Sequence, residues 1–284
     1  LDRLKGSWHK VLAVGLGLVG LWVVVRGSTL PELVGVLHRS RGLFLLGATI
    51  PLFAVGSVLR TGRYRALLPL GRTQFSPVWS AVVVSGAANN VLPLRAGELL
   101  RTRETVAAGV PLRRVIPAQV AEKAIEAGTL ILWASPALAT YAGIRHPLLA
   151  ALLVLALGSF ALAWIARRYA EIEVSRMAAS AAWSLAADGV EIALIAACLA
   201  SVGAPPGLLP SVTVFTAVNL AIAMPATPGN IGAFEAGAAL PLIAAGVDRE
   251  TAVAFALLYR AVQWLPVTTV GAVLLAFRPR ARAS

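Results

Sequence analysis

The chain has 284 residues, 58% of them hydrophobic and only 13% charged, with 25 Lys and Arg against 13 Asp and Glu, a formal net charge of +12. A soluble domain carries roughly a quarter charged residues, so this composition excludes one and points to an all-α polytopic membrane protein. Nucleic acid is excluded by the placement of the cations. They stand in short clusters between apolar runs, as at Arg60, Arg63 and Arg65, at Arg113 and Arg114, and at Arg167 and Arg168, where cytoplasmic loops meet anionic headgroups.

Lys5, His9 and Lys10 precede an apolar run from about Val11 to Val25. With Trp8 at the interface, this reads as a first span leaving the cytoplasm, an anchor that is kept and not a cleaved signal. The second span, about Leu43 to Leu59, contains Pro51 and ends on the basic residues from Arg60 to Arg72, the strongest inside marker in the chain. Ser76 to Leu94 is apolar until Asn89, and Gly97 to Val110 reads as a helix carrying Arg101, Arg103 and Glu104. At about 1.5 Å per residue, that second piece is too short for a core about 30 Å thick. The pair therefore reads as a re-entrant hairpin broken at Asn90–Arg95; a span followed by a surface helix is the alternative.

A long span, about Val115 to Ala139, contains Glu122, Lys123 and Glu126. Pro147 to Ala166 runs inward, and Met177 to Val202 runs outward carrying Asp188 and Glu191. Leu208 to Met224 enters from outside, breaks at Pro225–Gly229, and returns as a helix from about Asn230 to Ala245. Asp248 opens the last span, which ends near Phe277 before a basic tail, so both termini read as cytoplasmic. Cys198, the single cysteine, lies in an apolar run and reads as a small buried hydrophobe. No linker divides the chain, and residues 1–284 read as a single transmembrane domain.

Glu98 and Glu235 lie 137 positions apart (235 less 98), and the same offset carries Ala107-Ala-Gly-Val110 onto Ala244-Ala-Gly-Val247, Lys123 onto Arg260 and Glu126 onto Gln263. The expectation is two repeats, about 8–140 and 145–277, each of three transmembrane helices plus one re-entrant helical hairpin. Three crossings per half is odd, so the repeat is inverted and the two hairpin tips meet near the midplane, where transport sites of this architecture lie.

A helix that begins at the midplane aims unsatisfied N–H groups and about half a positive charge into the cavity, which suits an anion. Pro93, Pro225 and Pro228 end the preceding helices, and Asn89, Asn90 and Asn230 are placed to cap the broken ends. The candidate substrate-binding residues are Asn90, Arg95, Glu98, Lys123, Gly229, Asn230, Glu235 and Arg260. Glu122, Glu126, Asp188 and Glu191 are candidates for a charge or proton relay, since charges at that depth mark pathways or paired interior sites. A plainer reading stays open for each. Arg95 pairs Glu98, Lys123 pairs Glu122 or Glu126, Arg260 pairs Glu235, and the two glutamates complement the dipoles of the helices they open.

There is no GxxxxGK[ST] loop for ATP. His9, His38 and His146 sit at span ends beside Arg or Lys, and no His or Cys residues cluster at metal spacing. No catalytic residue, metal or cofactor is therefore expected.

At these residues the chain resembles the transmembrane, flippase-like domain of the lysylphosphatidylglycerol synthases and its stand-alone relatives. The resemblance rests on Asn90-x-x-Pro93-x-Arg95-x-Gly97-Glu98 with Arg101, on Glu122-Lys123-x-x-Glu126, on Pro225-x-x-Pro228-Gly229-x-x-Gly232-x-Phe234-Glu235, and on Tyr259-Arg260. It covers nearly the whole chain. Two departures stand out: the family usually has Glu-Arg-x-x-Asp where this chain has Glu122-Lys123-x-x-Glu126, and often Gly where it has Asn230. The cytosolic aminoacyl-transferring domain does not fall within these residues, so synthase activity is not implied. The resemblance implies movement of an anionic phospholipid or a polyprenyl-phosphate-type lipid between leaflets of a bacterial or archaeal plasma membrane. The partners are then membrane lipids with an anionic headgroup and no nucleic acid, with homo-oligomerisation open. Two other readings stay open: a membrane enzyme on a lipid phosphate or glycosyl phosphate, with Glu98 or Glu235 as base, and a non-transporting scaffold.

Overall fold

The computed structural model describes residues 38, 41–69, 75–91, 96–141, 157–158, 172–223 and 230–277. The expected span at 11–25, and that at 147–166 except residues 157–158, lie outside the described residues, as do Pro93, Arg95, Pro225, Pro228 and Gly229. Eight helices fall within the described residues: α1 Gly42–Leu67, α2 Phe75–Val91, α3 Gly97–Ala107, α4 Leu112–Tyr141, α5 Val174–Ser201, α6 Leu208–Ala223, α7 Ala233–Ala244 and α8 Arg249–Ala276. Of these, α5 and α8 are long and apolar enough to cross a membrane.

Helix lengths follow from what stops each helix. The long members α1, α4, α5 and α8 run 26 to 30 residues, about 39–45 Å at 1.5 Å per residue. Each tolerates charge or Pro without ending; α1 keeps Pro51 inside it and α8 keeps Pro266. By contrast α3 has 11 residues and α7 has 12, about 17–18 Å, or little more than half a hydrocarbon core.

The offset of 137 seen in the sequence recurs at two helix pairs, whereas α1 and α2 so shifted begin five and four residues after α5 and α6 (179 against 174, 212 against 208). The start of α4 at Leu112 maps onto that of α8 at Arg249, and α3 maps onto α7 to within one residue at its start. Packing recurs in the same way. Helix α2 packs on α3 as α6 packs on α7, α1 on α2 as α5 on α6, and α2 on α8 as α6 on α4, while α1 and α5 pack on each other.

Two apolar clusters hold the helices. One is built mainly from α5, α6, α7 and α8 and includes Ile195, Cys198, Leu199, Phe215, Leu242, Phe255 and Tyr259. The other joins α1, α2 and α4 through Tyr64, Leu67, Val78, Val115 and Ile125. Where helices approach most closely the sequence places glycine. A Cβ on Gly97 would collide with the Ser85 carbonyl oxygen and lie 2.5 Å from Asn89 Oδ1. On Gly237 it would lie 2.9 Å from Val218 Cα, and on Gly271 it would strike Ala87. These three positions set the α2/α3, α6/α7 and α2/α8 contacts.

One boundary differs from the sequence reading in a way that matters. The second span was expected to end at Leu59, with Arg60, Arg63 and Arg65 in a cytoplasmic loop. Instead α1 continues to Leu67, and Arg63 is buried. The backbone of a helix satisfies its own polar groups, so a helix entering the protein interior need not stop at charge that finds partners there.

Candidate functional site

A cavity of about 490 Å³ receives side chains from all eight helices. Of the expected site residues, Asn90, Glu98, Lys123, Glu126, Asp188, Glu191, Asn230 and Arg260 line it. Glu122 and Glu235 stand behind the lining, each bonded to a cation. Arg95 and Gly229 lie outside the described residues.

The two short helices reach the cavity by their beginnings. Glu98 lies in the first turn of α3, and Asn230 and Phe234 lie at the start of α7; all three line the cavity. At α3 the first N–H is capped from a distance, because Gly97 N–H donates to Asn89 Oδ1 at 2.9 Å. At α7 the chain turns through left-handed backbone, φ +53° at Asn230 and φ +86° at Gly232. Glu235 then reaches back to accept from the Gly232 N–H at 2.6 Å. Of the three asparagines expected to cap, Asn89 is the one whose side chain accepts a helix N–H among the described residues. Asn90 donates to Thr268 Oγ1 at 2.9 Å, tying α2 to α8. Asn230 contributes its backbone angle instead.

In each half the glutamate of the short helix meets the cation of the following long helix. Lys123 Nζ lies 3.5 Å from Glu98 and 2.7 Å from Glu126, and Arg260 lies 3.0 Å from Glu235. The plainer reading of these cations as ion-pair partners is therefore the arrangement found. Lys123 pairs Glu126 and Glu98, not Glu122, and Arg101 takes Glu98 at 2.6 Å.

Around Glu98 lies a network that sequence reasoning missed. Glu122, with a side chain 1% exposed, sits between Arg63 at 3.1 Å and Arg101 at 2.8 Å. Arg63 also pairs Glu126 and reaches Ser184 Oγ at 3.5 Å. The Arg101 guanidinium lies over the Tyr64 ring, 4.5 Å from its centre. Three cations thus meet three carboxylates, and buried charge is neutralised where it stands. The available signal was helical spacing: Arg60 and Arg63 are three residues apart, and so fall on one face of a helix that continues past Leu59.

A second group adjoins it. Arg60 pairs Glu191 at 2.9 Å, Tyr259 donates to Glu191 at 2.8 Å, and Gln263 donates to the Tyr259 hydroxyl at 3.0 Å. The Arg260 guanidinium faces the Phe234 ring at 5.3 Å, and Phe234 packs on Tyr259 at 5.2 Å. Asp188 lines the cavity between these groups; one of its carboxylate oxygens is buried without a hydrogen bond. Asn219, not singled out in the sequence, also lines the cavity; its amide donates to its own helix at Phe215.

Chemically, the cavity holds cations paired with carboxylates, and two helix beginnings. No curated protein matches the chain. The model of one family, described as "Lysylphosphatidylglycerol synthase TM region", matches residues 10–271.

Proposed function

The chain belongs to the lysylphosphatidylglycerol synthase TM region family, and from that premise we propose that this integral membrane protein is a lipid translocase. It moves a lipid with an anionic, phosphate-bearing headgroup between leaflets while the chains stay in the bilayer. The observation that carries the reading is that two helix beginnings, at Gly97 and Ala233, and the cation that follows each, border one cavity. Irregular backbone inside a membrane is tolerated where it lines such a space.

The recurring helix lengths and packing support two repeats, about 8–140 and 145–277. An odd number of crossings in each makes them inverted, with α2–α3 and α6–α7 as re-entrant hairpins entering from opposite faces and both termini cytoplasmic. Glu98 and Glu235 pair with Lys123 and Arg260. An arriving phosphate takes the two cations from them and faces the two helix beginnings, and the glutamates reclaim the cations on release. Lys supplies a compact charge and Arg a planar fork, and both suit phosphate oxygens. Asp188 and Glu191 face the same space as a charge or proton relay.

The test is redistribution of a fluorescent phosphatidylglycerol in liposomes holding the purified protein. Replacing Lys123 and Arg260 together with Gln should slow exchange by about tenfold or more, a barrier of about 1.4 kcal/mol or higher. An unchanged rate in a folded double variant sinks the proposal, and a lipid product of altered mass replaces it with chemistry on the lipid phosphate.

A further inference from the structure

The polar cavity has an apolar annex. A second cavity, about 130 Å³, lies among α1, α2, α5 and α8, with Leu52, Phe53, Val82, Leu194 and Val262 in its wall. Arg60, Gly86, Ala187, Glu191, Gln263 and Val267 line both spaces. The two therefore adjoin at the Arg60–Glu191 bridge.

Gly56 marks open space in the wall of the annex. Gly inside a helix costs roughly 0.5–1 kcal/mol relative to Ala. At Gly97, Gly237 and Gly271 close helix packing explains the residue. Gly56 lines the annex, yet a Cβ built there meets no atom within 4 Å. Its missing side chain admits no neighbouring helix and leaves room.

The junction has donors to spare. Ser57 is committed, donating to Ala54 O and accepting from Trp79, each at 2.9 Å. Arg60 gives one N–H group to Glu191, out of the five a guanidinium carries. Gln263 lies beside it with an amide that both donates and accepts. A charged and amide rim leading into an apolar slot matches a molecule whose ester carbonyls are followed at once by hydrocarbon.

We propose that the annex is a binding subsite for the ester-proximal segment of a glycerophospholipid acyl chain, with the ester carbonyls beside Arg60 and Gln263. This rests on the translocase reading for the headgroup in the polar cavity. A polyprenyl phosphate has no ester carbonyl to meet the rim, so the glycerol ester is the better fit. Once seated, the chain root fixes how deep the headgroup sits and excludes lipids whose first carbons are too bulky for the slot.

The experiment uses the full chain in nanodiscs with a phosphatidylglycerol bearing a photoactivated diazirine on the chain carbons nearest the ester, and maps the labelled residues by mass spectrometry. Label is expected on Leu52, Phe53 or Val82, and Gly56→Leu, which fills the annex, should cut that label by about tenfold, with Gly56→Ala cutting it less. Label confined to exposed side chains such as Val55 and Val58 overturns the proposal. So does equal annex labelling by a polyprenyl phosphate carrying the same group. Annex labelling that persists when Lys123 and Arg260 are both Gln, with transport also unaffected, upholds the subsite and removes the headgroup reading instead.

Discussion

The two halves of the site share a pair and differ in everything around it. Glu98 with Lys123 and Glu235 with Arg260 occupy equivalent positions under the offset of 137. Around the first pair stand Arg63, Arg101, Glu122 and Glu126; the positions equivalent to these are Ala200, Ala238, Tyr259 and Gln263. One half surrounds its pair with charge, while beside the other pair stands the Phe234 ring, packed on Tyr259. A shared pair in unlike surroundings separates what both tips need from what only one does. The pair belongs to the common task, while the extra ions hold α1, α3 and α4 together in the first half. In the second half that work falls to apolar packing, with Phe234, Phe255 and Tyr259 in ring contact.

The largest effect expected from this contrast is at positions 122 and 259. Glu122→Gln keeps the shape but leaves Arg63 and Arg101 sharing too little negative charge in a buried place. Uncompensating a buried ionic group costs about 3–5 kcal/mol. The equivalent change, Tyr259→Phe, removes one hydrogen bond to Glu191 and one from Gln263, about 1.5–3 kcal/mol for a bond to a charged acceptor. Denaturation of both variants in the same detergent should rank them in that order. The reverse ranking would mean that the ion cluster is not what holds the first half together.

Next comes the approach of each short helix to the helix before it. Gly97→Ala drives a methyl into the Ser85 carbonyl and the Asn89 side chain, which also carries the cap on the Gly97 N–H. Gly237→Ala meets Val218 Cα at 2.9 Å and the Ala217 carbonyl at 3.0 Å. Overpacking costs about 1–3 kcal/mol; Gly97→Ala belongs at the upper end and Gly237→Ala at the lower. Equal melting temperatures for the two would show that the α2–α3 contact yields as easily as the α6–α7 contact.

How much of this was legible beforehand depends on whether the information is local. Pro, Gly and Asn in an apolar run announce a break, and residues 92–95 and 224–229, where most of them stand, lie outside the described residues. The charges at 122, 123, 126, 188, 191 and 260 are conspicuous in apolar sequence, and six of them or their bonded cations meet at one cavity. Arg60 and Arg63 misled because a basic cluster after an apolar run has the same composition in a loop and on a helix that goes on. The partners that decide between these, Glu191 and Glu122, are 131 and 59 residues away in sequence. Asn90 and Asn230 are polar residues at breaks, and the sequence does not tell a side chain that caps from one that crosses to another helix or from a backbone that simply turns.

The smallest effect lies where the last helix of each half begins. In the first half α4 follows Pro111, which has no titrating group; in the second, α8 follows Asp248, equivalent to it under the offset, whose carboxylate accepts the Thr251 N–H at 2.8 Å. That backbone hydrogen bond holds the Asp248 carboxyl below its ordinary range. A carboxyl whose pKa is lower in the folded chain contributes stability above its unfolded value, near 3.9, and the contribution fades as pH falls through the folded value. Asp248→Ala should therefore cost about 1 kcal/mol at neutral pH, and the gap between the two proteins should narrow as pH falls below about 4. Pro111→Ala, by contrast, should give a pH-independent difference from the wild type. A gap at position 248 that keeps its size in acid would mean that Asp248 acts through shape alone, and the chemical asymmetry between the two helix starts would disappear.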